Sequence, residues 1–208
     1  MTNKVRFIGD VHGKFERYKR LIKNHERTRQ VGDMGVGFFK LLGDERIPTA
    51  NPPFDAMERG DNRYIRGNHD NLSVCKQQKH WIEDGYREDN IMYIGGAASI
   101  DRVYRTEGLS WWADEELSYE ELLKLYDDYV QFKPAIMVTH TCPLFVIPYL
   151  VPHIYPQDFR SEKAFEAMFA EHRPDVWIFG HWHTSVDMVI LGTRFVCLNE
   201  LEVLDLEV

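Results

Sequence analysis

Apolar residues in this chain arrive in short runs, and the length of those runs limits the folds open to it. Lys4 to Gly9, Arg63 to Ile65, Ile91 to Ile94, Ala135 to Thr139, Val176 to Phe179, Met188 to Leu191 and Arg194 to Leu198 are too short, and several too β-branched, to be helices, so they predict strands. Between them, Phe15 to Asn24, Ser118 to Phe132 and Asp158 to His172 carry helical patterning, and Ser118 with Glu121 three residues on reads as a capping box. Such alternation predicts an α/β domain with helices covering a sheet or pair of sheets. Three strands in near succession in the last third predict a mixed sheet. Gly35 to Asn62, rich in Gly, Pro and Asp and without a period, reads as a long loop. No Pro/Gly/Ser-rich linker divides the 208 residues, so a single domain over 1–208 is expected.

The composition, 44% hydrophobic and 13% aromatic, is that of a folded globular protein rather than a disordered one. A formal net charge of -8 argues against a protein that holds long nucleic acid through its general field. One basic stretch, Lys14 to Arg29, stands apart; beside Phe15, Tyr18, Leu21 and Ile22 it reads as the solvated face of a helix. Cys75, Cys142 and Cys197 have no metal-ligand or redox spacing and are expected as buried thiols. With no apolar run of about 20 residues and no leader-like N-terminal segment, the expected partners exclude a membrane and the expected location is the cytoplasm.

Five short polar signatures each follow an apolar run or a turn glycine: Gly9-Asp10-Val11-His12, Gly32-Asp33-Met34-Gly35, Gly67-Asn68-His69-Asp70, Thr139-His140 and Gly180-His181-Trp182-His183. In open α/β sheets the crevice beyond the carboxyl ends of the strands is where such side chains converge. The pooled donors are the imidazoles of His12, His140, His181 and His183, the carboxylates of Asp10 and Asp33 and the amide oxygen of Asn68. With no thiolate among them, they suit Mn, Fe, Zn or Ni and not a structural zinc site. Calcium or magnesium alone would be held by oxygens. His25, His80, His153 and His172 lie in helical or loop contexts and are expected to be structural or on the surface.

In this order and spacing, from Asp10 to His183, the signatures resemble the calcineurin-like metallophosphoesterase family, whose pattern is Asp-x-His, Gly-Asp, Gly-Asn-His-Asp/Glu, a lone His and Gly-His-x-His. The resemblance implies a four-layer α/β sandwich, two mixed β-sheets flanked by α-helices. It also implies two divalent transition-metal ions, manganese first and Fe, Zn or Ni as alternatives. One would be held by Asp10, His12, Asp33 and His183, the other by Asp33, Asn68, His140 and His181, with Asp33 bridging. His69 matches the family's catalytic histidine, on the leaving-group side. Two close cations make a bridging water acidic enough to attack phosphorus in line and neutralise the phosphoryl oxygens, while His69 donates a proton to the departing oxygen.

The expected activity is hydrolysis of small phosphodiesters or nucleotides. A phosphomonoesterase, including a protein phosphatase, a nuclease and a non-catalytic metal-binding scaffold are the alternatives. The protein-phosphatase branch extends its second signature to Gly-Asp-x-Val-Asp-Arg-Gly, whereas this chain reads Gly32-Asp33-Met34-Gly35-Val36-Gly37 and lacks that branch's Asp and Arg. Arg66, Arg102 and Arg105 are candidates for gripping phosphate instead. Of Trp111, Trp112 and Trp182, the last is the best placed to stack on a base or aromatic leaving group, since both its neighbours are expected ligands.

Overall fold

A computed structural model describes residues 4–42, 45–48, 51–152 and 158–208. In chain order these form β1 (Lys4–Ile8), α1 (Phe15–Ile22), β2 (Arg27–Gln30), β3 (Phe39–Leu42), β4 (Glu45–Pro48), α2 (Phe54–Met57), β5 (Asp61–Tyr64) and α3 (Leu72–Cys75). They continue as β6 (Arg87–Glu88), β7 (Ile91–Ile94), α4 (Tyr119–Phe132), β8 (Ile136–Thr139), α5 (Arg160–Glu171), β9 (Val176–Phe179), β10 (Val186–Ile190), β11 (Thr193–Cys197) and β12 (Val203–Glu207), with 3-10 turns at Arg102–Tyr104 and Leu144–Tyr149.

Two mixed sheets stack face to face. One has the order β12-β1-β2-β5, the other β10-β11-β9-β8-β7-β6. In the first, β1, β2 and β5 run parallel and β12 antiparallel; in the second, β7, β8, β9 and β11 run parallel between antiparallel edges. The alternation of side chains along each strand supplies both faces of a layer. Ile136, Val138 and Ile178 point inward with Val5, Phe7, Val31 and Tyr93 to form the core between the sheets. Met137, Trp177 and Phe179 point outward against Tyr129 of α4 and Phe165 and Phe169 of α5. Ile8 and Tyr64 on the far side of the first sheet pack on Phe15 and Tyr18 of α1. The result is the expected four layers of helix, sheet, sheet and helix, and both sheets are mixed.

The α4 start shows how local chemistry sets a boundary. The Ser118 side chain accepts the Glu121 backbone N–H at 3.2 Å and the Glu121 carboxylate accepts the Ser118 N–H at 2.8 Å, a complete capping box.

Two sequence expectations change. Gly35 to Asn62 is not one loop: it contains the antiparallel β3–β4 pair, α2 and the start of β5. His153 lies outside the described residues. The basic stretch Lys14 to Arg29 is not a single helical face, because the helix stops at Ile22 and Arg27 and Arg29 belong to β2. That strand reads Arg-Thr-Arg-Gln and has no apolar side chain, yet it lies in the middle of a sheet.

Its burial is electrostatically compensated. The Arg29 side chain is 1% exposed and meets Glu88 and Asp61 at 2.6 Å each, with further N–H groups donated to the carbonyls of Thr28 and Asp61. Thr28 donates to the Asn62 side-chain oxygen at 2.7 Å. Burial would raise the Glu88 carboxyl, but the Arg29 guanidinium, Tyr93 and Arg27 hold it down from its ordinary 4.5 to about 2.

Because the folded value lies below the ordinary one, this stabilisation is complete above about pH 4.5 and is lost as the pH falls toward 2. Glu88→Gln is therefore expected to lower the unfolding free energy at pH 7 by about 2–3 kcal/mol. The gap between variant and parent, measured by denaturant unfolding, should shrink as the pH is lowered from 5 to about 2.5; a gap that stays constant would contradict the assignment.

Candidate metal centre

The five signatures meet at one edge of the sandwich, beyond the carboxyl ends of β1, β2, β5, β8 and β9. Main-chain hydrogen bonds tie their loops together. The N–H groups of Val11 and His12 both donate to the Asp33 carbonyl, at 3.0 and 2.8 Å, and the Gly180 N–H donates to the His140 carbonyl at 3.0 Å. The buried Asp70 carboxylate accepts from the N–H groups of Met34, Gly35, Val36 and Gly67, at 2.7–3.1 Å, pinning the loop after β2 to the loop after β5.

Close packing explains two of the signature glycines. A Cβ on Gly67 would collide with the Asp33 carboxylate, and one on Gly180 with that of Asp10. Four of the converging side chains also sit on left-handed backbone: His12, Asp33, His181 and His183 have φ of 46°, 58°, 67° and 48°. Each such residue costs on the order of 1–3 kcal/mol, a cost met by the surrounding structure and concentrated at functional sites.

All seven expected donors come together, in two groups that share Asp33. The ligand atoms of Asp10, His12, Asp33 and His183 lie within 4.8 Å of one another. Within that group His183 Nε2 is 3.1 Å from Asp10 Oδ2, and His12 Nε2 is 2.9 Å from His183 Nε2 and 3.6 Å from Asp33 Oδ2. In the other group His140 Nε2 is 3.3 Å from Asp33 Oδ1, and Asn68 Oδ1 lies 3.0 Å from both His140 Nε2 and His181 Nδ1. The two oxygens of one buried carboxylate thus face opposite groups.

The donor atoms are aimed by neighbours. His140 Nδ1 lies 2.9 Å from the Val31 carbonyl, which fixes the proton there and leaves Nε2 facing Asp33. Asn68 Nδ2 donates to Ser99 Oγ at 3.0 Å, and Ser99 is held in turn by Glu115, so the amide oxygen points into the group. Backbone N–H of His181 donates to both Asp10 oxygens, at 3.2 and 3.1 Å.

This assembly calls for positive charge. Burial would raise both aspartates, yet the imidazoles of His12 and His183 lower Asp10, and that of His140 above all holds Asp33 well below the carboxylate range. His140, which burial alone would lower, is raised to about 9 by Asp33. Burial and the neighbouring His140 push His181 down to about 3. Lone pairs of nitrogen and oxygen brought within about 3 Å of one another are stable only around protons or cations, and the nitrogen-oxygen donor set fits a divalent metal site.

His69 stands beside the first group. Its ring meets His12 edge to face at 4.8 Å, and its backbone N–H donates to Asp33 Oδ1 at 2.7 Å. Phe38 stacks on it at 5.5 Å, with Trp112 edge-on to Phe38 at 5.1 Å. Burial, joined by the Arg105 guanidinium and opposed by Asp33, lowers the His69 imidazole.

The other candidates sort themselves by contact. Arg66 is fully buried, held by Asp84 at 3.1 Å and by the carbonyls of Asp114 and Glu115. Arg102 lies over the Trp111 ring at 4.1 Å. Arg105 reaches His69, with Nη2 2.5 Å from Nε2. Trp182 is half-buried; its indole N–H donates to Thr141 Oγ1 at 3.2 Å and its ring packs in part on the outer core.

His80 and His172 are anchored to the carbonyls of Asn62 and Pro134, and all three cysteines are free and buried. Lys19 and Arg20 of α1, with Lys23 just after it, line a groove of about 1000 Å³ that shares no residue with the cluster. Sequence reading did not find Phe38, Ser99, Asp101 or Glu115, which carry no motif and act only through their placement.

The family model described as calcineurin-like phosphoesterase matches residues 4–185. No curated protein sequence matches the chain. Among solved structures, one described as GAP50, the anchor in the inner membrane complex of Plasmodium, is 13% identical with a TM-score of 0.47, over 94% of this chain and 71% of its own. Another, described as a putative 5'-nucleotidase from Staphylococcus aureus in complex with alpha-ketoglutarate, is 11% identical with a TM-score of 0.51; it covers 97% of this chain, which spans 50% of its length. At that identity the second likeness speaks to the fold. The family match spans most of the chain, and with the cluster it establishes that this protein belongs to the calcineurin-like phosphoesterase family, as a metal-dependent phosphoester hydrolase.

Proposed function

We propose that the chain hydrolyses small phosphoesters, nucleotides and related phosphodiesters foremost, with two divalent transition-metal ions, manganese first. The observation that carries this reading is the shared carboxylate: Asp33 Oδ2 faces the group of Asp10, His12 and His183, and Asp33 Oδ1 faces His140. Asp10, His12, Asp33 and His183 would hold one ion, and Asp33, Asn68, His140 and His181 the other. Such a pair supplies an activated water and neutralises phosphoryl oxygens.

The chain's own residues do the rest. Asp70 and the Val31 carbonyl keep the donors in register before substrate arrives, which lowers the reorganisation needed at reaction. His69, one ring away from His12, is placed to give a proton to the leaving oxygen.

Several features favour a small substrate. The net charge of -8 disfavours extended nucleic acid, and a nucleotide is also the substrate class named in the description of the S. aureus relative. A phosphomonoesterase is the second reading; a scaffold would have no need to converge so many costly polar side chains at one edge. No described helix is long and apolar enough to cross a membrane, and with its free thiols the chain is taken to work in the cytoplasm.

Two measurements test the proposal. Hydrolysis of bis(p-nitrophenyl) phosphate should require added manganese and be abolished by chelation and by Asp33→Asn, which should also bind fewer than two equivalents of metal. Robust metal binding without turnover of any phosphoester would favour the scaffold. For His69→Ala, turnover should fall by about 10²–10⁴-fold with metal content intact; loss of metal in that variant would remove His69 from its assigned role.

A further inference from the structure

Arg105 follows the 3-10 turn Arg102–Tyr104 and presents its guanidinium to the cluster with a side chain only 10% exposed. Its Nε and Nη2 meet the two oxygens of Asp101 at 2.5 and 2.8 Å, and Nη1 donates to the Ser110 carbonyl at 3.1 Å. Both terminal nitrogens also face the same imidazole: Nη2 is 2.5 Å from His69 Nε2, and Nη1 is 3.3 Å from His69 Nδ1. A neutral imidazole offers one lone pair and a protonated one none. At least one of the two N–H groups aimed at His69 therefore has no acceptor there, although the guanidinium is otherwise fixed by a bidentate carboxylate.

We infer that Arg105 determines specificity by engaging a third anionic oxygen of the substrate, carried on the scissile phosphorus or on a neighbouring phosphate. This rests on the proposed two-metal reading, in which the ions would take the two non-bridging oxygens of the phosphoryl group. A simple phosphodiester has no further anionic oxygen; a phosphomonoester has a third, and a diphosphate ester carries more on its second phosphorus. The planar guanidinium fork is suited to such an oxygen, and an ammonium lacks its geometry. Arg66 is fully buried, with Nε on Asp84, Nη1 on two carbonyls and Nη2 without a partner among the described residues, so it has no open side for substrate, and Arg102 lies over the Trp111 ring. An acidic oxygen at Arg105 would take the N–H that finds no acceptor on His69. Asp101, 48% exposed, would hold the arm in place throughout.

Binding and kinetics together test this on the full manganese-loaded chain. By calorimetry, Arg105→Ala should bind phenylphosphonate, which has three phosphoryl oxygens, about 10–100-fold more weakly than the parent. Its monomethyl ester, with two, should be weakened severalfold at most. Arg105→Lys should fall between, with metal content equal in all three proteins.

In steady state, the kcat/KM of Arg105→Ala should fall most on p-nitrophenyl phosphate if the third oxygen is on the scissile phosphorus. It should fall most on a nucleoside diphosphate p-nitrophenyl ester if the oxygen is on the neighbour, and least on bis(p-nitrophenyl) phosphate in either case. Equal losses on all three esters, or equal weakening of both phosphonates, would overturn the inference and leave Arg105 as a residue acting only through His69. Because the phosphonates bind without reacting, a chain that turned over no ester would defeat the two-metal hydrolysis reading while the binding comparison still judged Arg105.

Discussion

The Asp33 carboxylate is the contact on which the site's architecture hangs. It is buried at the end of a polar strand, is kept ionised by imidazoles on either side, and gives one oxygen to each of two donor groups. A buried anion is tolerable only when surrounded by donors or positive charge, and here the backbone N–H of His69, the raised His140 and the nearby imidazoles provide that setting. The loops from both sheets fold toward this point, so the sandwich and the cluster are parts of one electrostatic arrangement.

The same logic runs through the first sheet. β2 lies between β1 and β5 although it has no apolar side chain, because Arg29 exchanges solvent for Glu88, Asp61 and two carbonyls. A buried ion network of this kind contributes little net stability compared with an apolar core, but breaking one partner is costly.

Much of this was legible from the sequence, and the gaps have physical causes. β7 and β9 were predicted to the residue, and the capping box at Ser118 named the start of α4, because apolar runs and caps are local signals. The donors announced themselves as short polar blocks beyond strands, although their pairing came from family resemblance and not from the residues alone. β2 was invisible because its burial is satisfied by residues 32 to 59 positions away. Trp182 is the opposite case: its sequence neighbours point to the cluster, whereas the hydroxyl that fixes its indole lies at Thr141. Arg66 and Arg105 look alike in sequence, and only three-dimensional placement separates a buried brace from a side chain at the cluster.

The glycines of the signatures carry a last consequence. Gly67 is small because the side chain of Asp33 occupies the space beside it, and Gly180 is small because that of Asp10 does. Each block is thus shaped by a neighbour far off in the chain rather than by its own turn. The blocks are interlocked like the pins and wards of one lock: a single loop moved into another scaffold would bring its ligands along but leave behind the space they fill.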